Sequence, residues 1–287
     1  MMTSVSLAAK PRHVPVWQLC FIFVMALLLF VAMRWQPEAW LRNQIDQQAR
    51  VSGIELRYES LQAQGLGVEL KHVSIKTADL PEPVFLDTAS ISPAWGSLFT
   101  GVAAVNVHIG LQDQSVGAVL VWQDKHIEVN DLNAVLDVAV LQSLWKQRLP
   151  LPVDVGGSLR LTGHVQFSAV SGLPVEGQID VAWQQARIDL PVFDKPLGDY
   201  HLILKSTGKP KPSMQGWQWS ISGGTTVALT GSGQLNMAVR LPQQWMVGGK
   251  VKLQAAPEAR GIASMLGNRA KVFAISGKML NVRFQPM

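Results

Sequence analysis

Six histidines, His13, His72, His108, His126, His164 and His201, are the side chains best suited to acid–base or metal chemistry near neutral pH. No two stand in an HxxH or HExxH spacing, which is what brings a pair onto one face of a helix around a metal. His108 lies between Val107 and Ile109, and His164 follows Arg160 and Thr162 at alternate positions, so both read as solvated histidines on a strand. Serine offers no better nucleophile, since no G-x-S-x-G elbow or S-x-x-K pair precedes a helix. The glycine-rich stretches "SISGG" (Ser220 to Gly224) and "LTGSGQL" (Leu229 to Leu235) are not followed by a helix whose N-terminus receives a phosphate, and they read as hairpin turns. The acid pairs Asp180 with Asp189 and Asp194 with Asp199 imply no hydrolysis without a pocket. The one cysteine, Cys20, lies in an apolar run and permits no intrachain disulfide. These patterns predict no catalytic residue, no metal site and no cofactor.

The elements that carry these residues are mostly strands. From Ile54 onward the apolar period is two, through "IELRYES", "VELKHVSIK", "VNVHIGL", "GAVLVWQ", "HIEVN", "SLRLTGHVQF", "GQIDVAW", "YHLILK", "WQWSIS", "TVALTGSGQLNM", "GGKVKLQA" and "KMLNVRF". Glycine opens several of these runs, at Gly157, Gly177, Gly233, Gly249 and Gly277, where it reads as a turn residue of antiparallel hairpins. The expected fold class is therefore mainly β: an extended, curved antiparallel sheet with a few short helices. Helical spacing interrupts the strands over Ala134 to Lys146 and over Pro257 to Asn268. A third interruption lies within "FLDTASISPAWGSLFTG", Phe85 to Gly101. There Ser92 is expected to cap a short helix, Pro93 to occupy its first turn and Gly101 to end it, with Trp95, Leu98 and Phe99 on one face plugging the end of the sheet.

Ahead of the strands, Val16 to Met33 is an eighteen-residue run without a charge. At about 1.5 Å per residue it is close to the length of a bilayer's apolar core. It is longer than a signal-peptide core and no small-x-small cleavage site follows it before Arg34, so it is read as an uncleaved membrane anchor rather than a signal peptide or a buried helix. Val16, Trp17, Leu19, Phe21, Leu28, Phe30 and Met33 are its anchor residues, and Trp17, Trp35 and Trp40 suit the interfacial belt. The short basic leader and the large polar remainder place the N-terminus inside, so the expected organisation is a cytoplasmic leader (1–15), the anchor (16–34), an amphipathic juxtamembrane helix (35–53) and a β-rich domain (54–287) on the far side of the membrane. In that helix Trp40, Leu41, Ile45 and Ala49 recur helically after Pro37 and before Gly53. The net charge of +5 falls to +2 once Lys10, Arg12 and Arg34 around the anchor are set aside, so no nucleic-acid footprint is expected. Ten tryptophans, seven of them Trp95, Trp122, Trp145, Trp183, Trp217, Trp219 and Trp245, are expected mostly in the core, with a minority able to line an exposed apolar groove.

The order of these elements carries a resemblance. A basic leader, one membrane helix, "LRNQIDQQARVSGIEL", "LGVELKHVSIK", "LDTASISPAWGSLFTG" and the later "LNAVLDVAVLQSLW", "GSLRLTGHVQF", "GLPVEGQIDVAWQQARID" and "LGDYHLILK" resemble the inner-membrane type II secretion system protein N family, from the anchor to about Lys205. The opening half is also similar to AsmA-like envelope proteins. The first resemblance carries the leading expectation and implies a non-enzymatic scaffold or assembly subunit in the inner membrane, with its β domain periplasmic and other secretion subunits as partners. The second implies envelope biogenesis through an apolar groove that binds or guides phospholipid. Neither supplies catalytic residues.

Overall fold

The structure, a computed structural model, describes residues 23–24, 27, 37–64, 66–77, 83–98, 101–145, 154–189, 196–208, 215–237, 244–256, 270–279 and 281–287. It divides into two units, Met1–Ser52 and Gly53–Met287. In the first unit, helix α1 (Pro37–Val51) begins at the expected proline and carries Glu38 in its first turn and Arg50 in its last, each favourable to the helix dipole. Ser52 N–H closes the last turn on Gln48 C=O at 2.9 Å. Phe23, Val24 and Leu27 are helical and exposed. Val16, Trp17, Leu19, Phe21, Leu28, Phe30 and Met33 lie outside the described residues, and among the described residues no helix is long and apolar enough to cross a membrane.

The second unit is one antiparallel sheet. Its strands are β1 (Ile54–Arg57), β2 (Ser60–Gln64), β3 (Gly67–Thr77), β4 (Val84–Pro93), β5 (Ala103–Leu111), β6 (Gln114–Gln123), β7 (His126–Asp137) and β8 (Asp154–Ser168). They continue with β9 (Pro174–Asp189), β10 (Gly198–Ser206), β11 (Gln215–Gly223), β12 (Val227–Met237), β13 (Met246–Ala255), β14 (Lys271–Lys278) and β15 (Asn281–Pro286). From β3 on, every strand pairs with the next in sequence. β1 and β2 both pair with β3 in one continuous register, Ile54 with Thr77 and Ser60 with Lys71, so they are a single edge strand broken at Tyr58–Glu59. Short helices α2 (Trp95–Leu98) and α3 (Val138–Trp145) interrupt the meander and pack on β5 and on β7 and β8 respectively.

The sheet has three strands more than the apolar period outlines: β2, β4 as a full strand, and β14. In β14, "KVFAISGK", apolar residues fall at both parities, so the alternation that marks a half-buried strand is weak. The helix expected over Ala134 to Lys146 is shorter. Ala134 to Asp137 continue β7 in register with β8, and the Asp137 carboxylate accepts the Ala139 N–H at 2.7 Å to start α3. The Pro257 to Asn268 segment lies outside the described residues.

Within strands the apolar parity slips at three places, and a residue with left-handed backbone stands at each. In β3 Val68 and Leu70 give way to Val73 and Ile75 at His72 (φ +50°). In β7 Ile127 and Val129 give way to Leu132, Ala134 and Leu136 at Asp131 (φ +51°). In β9 Ile179, Val181 and Trp183 give way to Ala186 and Ile188 at Gln185 (φ +50°). At Asp131 and Gln185 the extra residue shows as a register shift against both neighbouring strands, a β-bulge. At those two positions, without the inserted residue, the parity rule would turn the second half of the apolar set to the other face, whereas at His72 the register runs on unbroken. At Gln185 the freed backbone N–H is satisfied by the Asp199 carboxylate at 2.7 Å.

The corner at Ser92 differs from expectation. Ser92 and Pro93 belong to β4, paired with Asn106 and Val105 of β5, because cross-strand pairing outlasts the local helix signals. Helix α2 starts after them: Ser97 N–H and Oγ both donate to Ala94 C=O, at 2.9 and 2.7 Å. Trp95 is 59% exposed, so it does not plug the sheet. Gly101 does adopt the left-handed conformation, at φ +72°. Phe99 and the Leu98 side chain lie outside the described residues.

Candidate functional site

The residues singled out for chemistry remain apart. His108 and His164 are exposed on β5 and β8. His72 Nδ1 lies 2.7 Å from Glu59 Oε2, an exposed pair of the kind that contributes little. Asp180 and Asp189 stand nine positions apart on β9, about 30 Å along the strand. Asp194 lies outside the described residues and Asp199 is engaged by the Gln185 bulge. Among the described residues no group of three or more His, Cys, Asp or Glu is placed to hold a metal ion. A shallow depression of about 620 Å³ lies beside Asp131 and Arg160, with no ion pair between them.

What the fold does assemble is an aromatic device. The glycines of "LTGSGQL" and the five that open alternating runs lie within strands and not at hairpin turns. Gly233 of β12 faces Trp219 of β11 on one side and Gly249 of β13 on the other. The Trp219 indole lies over both glycines, and its Nε1 donates to Gly248 C=O at 3.2 Å. A Cβ on Gly233 would meet the Gly248 carbonyl oxygen and come within 2.6 Å of Trp219 Cε2. Gly157 (φ +109°) plays the same part under Trp183, whose Nε1 donates to Gly156 C=O at 3.1 Å. Trp217 Nε1 donates to Pro174 C=O at 3.3 Å, and Tyr200 Oη to Val227 C=O at 2.8 Å. Each ring thus buries its apolar body on the sheet while its polar tip finds a backbone acceptor. Burial also raises the Tyr200 phenol above its ordinary pKa.

Antiparallel partners share a face, so the register arranges these groups in rows. One row runs Ile179, Leu204, Trp219, Gly233, Gly249, Ile275, Phe284 from β9 to β15. Next to it run Trp217, Leu235, Val247, Gly277, Val282 on one side, and Leu202, Ile221, Gly231, Val251, Phe273, Pro286 on the other. Over strands β10–β15 these rows form a trough of about 340 Å³ in which every lining side chain is apolar. Trp219, Leu235 and Val251 make a floor at 8%, 4% and 7% exposure. Met279 and Phe284 stand at the lip, 46% and 62% exposed. Glycines beneath the Trp219 ring lower the middle of the face while larger side chains rise around it. The trough is open, and its chemistry is dispersion and hydrophobic contact without a reactive group.

No family model, curated protein or solved structure matches this chain.

Of the residues that form the trough, Trp219 was legible only as one tryptophan among ten. Gly233 and Gly249 read in the sequence as turn residues, and the signal that separates them from turns is their place inside an alternating run. The sequence also divides by charge. Residues 38–199 hold eleven Lys and Arg against nineteen Asp and Glu, a net of −8. Residues 200–287 hold eleven against Glu258 alone, a net of +10, which with the three cations before residue 38 makes the overall +5. The near-neutral domain average conceals both, and the trough lies in the basic part.

Proposed function

We propose that this chain is a non-enzymatic protein of the bacterial inner membrane, anchored through residues 16–34 with its N-terminus cytoplasmic and its β unit in the periplasm. The β unit curls so that its apolar face lies inward, and lipid acyl chains lie along the trough of β10–β15, so the protein serves envelope biogenesis by binding or guiding lipid. The observation that carries this reading is the wholly apolar lining with an exposed lip at Met279 and Phe284. An open apolar surface of this kind marks a lipid or protein contact. The test is to purify the full chain in detergent, extract it with solvent and quantify phospholipid. Stoichiometric phospholipid is expected, and its loss is expected when V247W and I275W fill the trough. Protein free of lipid in both forms overturns the reading.

A second reading, an accessory scaffold subunit of a type II secretion system, is favoured by the edge of the sheet. Among the described residues β15 pairs with β14 alone, and a free edge is a template for strand addition by a partner. In vivo crosslinking from positions on β15 is expected to capture secretion subunits if this edge is the contact, and recovery of none of them removes the reading.

A further inference from the structure

The trough sits on an apolar face whose charge is not random. Following the rows one step beyond the lining, Tyr200 pairs with Gly223, Gly223 with Leu229, Leu229 with Leu253 and Leu253 with Lys271. Among the described residues Lys271 is the one charged side chain that the register places on the apolar face of β10–β15. It is exposed, its cross-strand partner is Leu253, and no carboxylate is in ion-pair reach of it among the described residues. The opposite face of the same strands carries Lys205, Lys250, Lys252, Lys278 and Arg283, whose cross-strand partners are all uncharged. No Asp or Glu is present among the described residues from 200 to 287. From residue 200 on, the Lys, Arg, Asp and Glu side chains of β10–β15 are thus all cations, and Lys271 brings one to the apolar side of the trough.

We propose that the occupant is an anionic membrane lipid, its acidic phosphate headgroup against Lys271 and one acyl chain laid along β14 into the trough. This rests on the acyl-binding reading above and adds the class of headgroup. The dimensions agree: at about 3.4 Å per residue β14 extends the apolar face about 20 Å from Lys271 to Gly277, more than the ~15 Å of hydrocarbon that one leaflet of a bilayer contributes. Lys271 stands about 10 Å, two strand spacings, from the lining residue Leu229. A headgroup at Lys271 thus leaves its first methylenes at the trough's edge. A zwitterionic headgroup brings its own cation into the same positive region and gains less.

Trp219 on the trough floor is the reporter. The full chain in mixed micelles is titrated with brominated phosphatidylglycerol or brominated phosphatidylcholine, and quenching at Trp219 is read as the difference from W219F. Half-maximal quenching is expected at roughly tenfold lower phosphatidylglycerol than phosphatidylcholine, the gain of one charge-assisted contact. K271R keeps this preference and K271E abolishes it. Equal quenching by both lipids overturns the headgroup assignment while leaving the acyl reading intact, and quenching by neither overturns both. The lipid that co-purifies supplies a readout independent of W219F: its anionic fraction falls in K271E if Lys271 holds the headgroup, and an unchanged fraction overturns the assignment.

Discussion

Strands β4–β6 and strands β11–β13 share antiparallel topology and apolar alternation, yet they bury their faces differently. In the first group the rows are Ala89, Ile109, Val116, then Ile91, Val107, Ala118, then Pro93, Val105, Leu120. Side chains of similar height stand side by side, and none of these three strands holds a fully buried residue. In the second group Trp217, Trp219, Val227, Leu235, Met237 and Val251 are buried. The difference is size contrast. A long aromatic opposite a glycine can lie down across two strands, covering the backbone and being covered by its neighbours, whereas a row of β-branched residues leaves each tip in the open. At Trp219 burial in a single layer thus depends on glycine as well as on apolar content, whereas Trp217 is buried against Leu235, its cross-strand partner, in the same apolar cluster.

The comparison breaks most sharply at Trp217, which is 1% exposed. W217A is expected to cost about 3–5 kcal/mol, measured by denaturant unfolding of the full chain in detergent. G233V is next, because its side chain collides with the Gly248 carbonyl and the Trp219 ring; overpacking of this kind costs about 1–3 kcal/mol, and the Trp219 emission should shift as the ring is lifted. Y200F tests the hydroxyl tip alone. Loss of the bond to Val227 C=O is expected to cost about 1 kcal/mol at neutral pH. Because burial raises the folded-state pKa, the folded phenol stays protonated where the unfolded one ionises. Wild-type stability should therefore hold below about pH 10 and fall as pH rises beyond it, a slope that Y200F removes. The smallest effect is expected in the first group: Trp122 is 44% exposed, and W122A should cost about 1 kcal/mol or less. A cost for W122A equal to that of W217A would end the distinction between the two regions.

Much of the sheet was legible because a strand's period is local. Residues such as Val105, Val107 and Ile109 announce a face without reference to any partner. The bulges were legible in principle, since a parity slip at Asp131 or Gln185 is visible in the order of the residues, although the direction of the backbone is not. The corner at Ser92 and Pro93 was misread because capping chemistry and strand pairing compete for the same residues, and β5 decides the outcome. The glycines were misread for a related reason. Glycine serves a turn by its backbone freedom and a strand interior by its missing side chain, and which applies at Gly233 depends on Trp219 lying across it.

The sequence by itself determined that the second unit is a long antiparallel sheet with one apolar face and that its charge divides near residue 200. These follow from composition and from a period of two, which any short window contains. Only the tertiary structure decided that Trp219 lies on Gly233 and Gly249, that the hollow beside it is open at Met279 and Phe284, and that Lys271 shares that face. Each of those depends on register between strands brought together by pairing, and a shift of one residue would turn every one of these side chains to the opposite face.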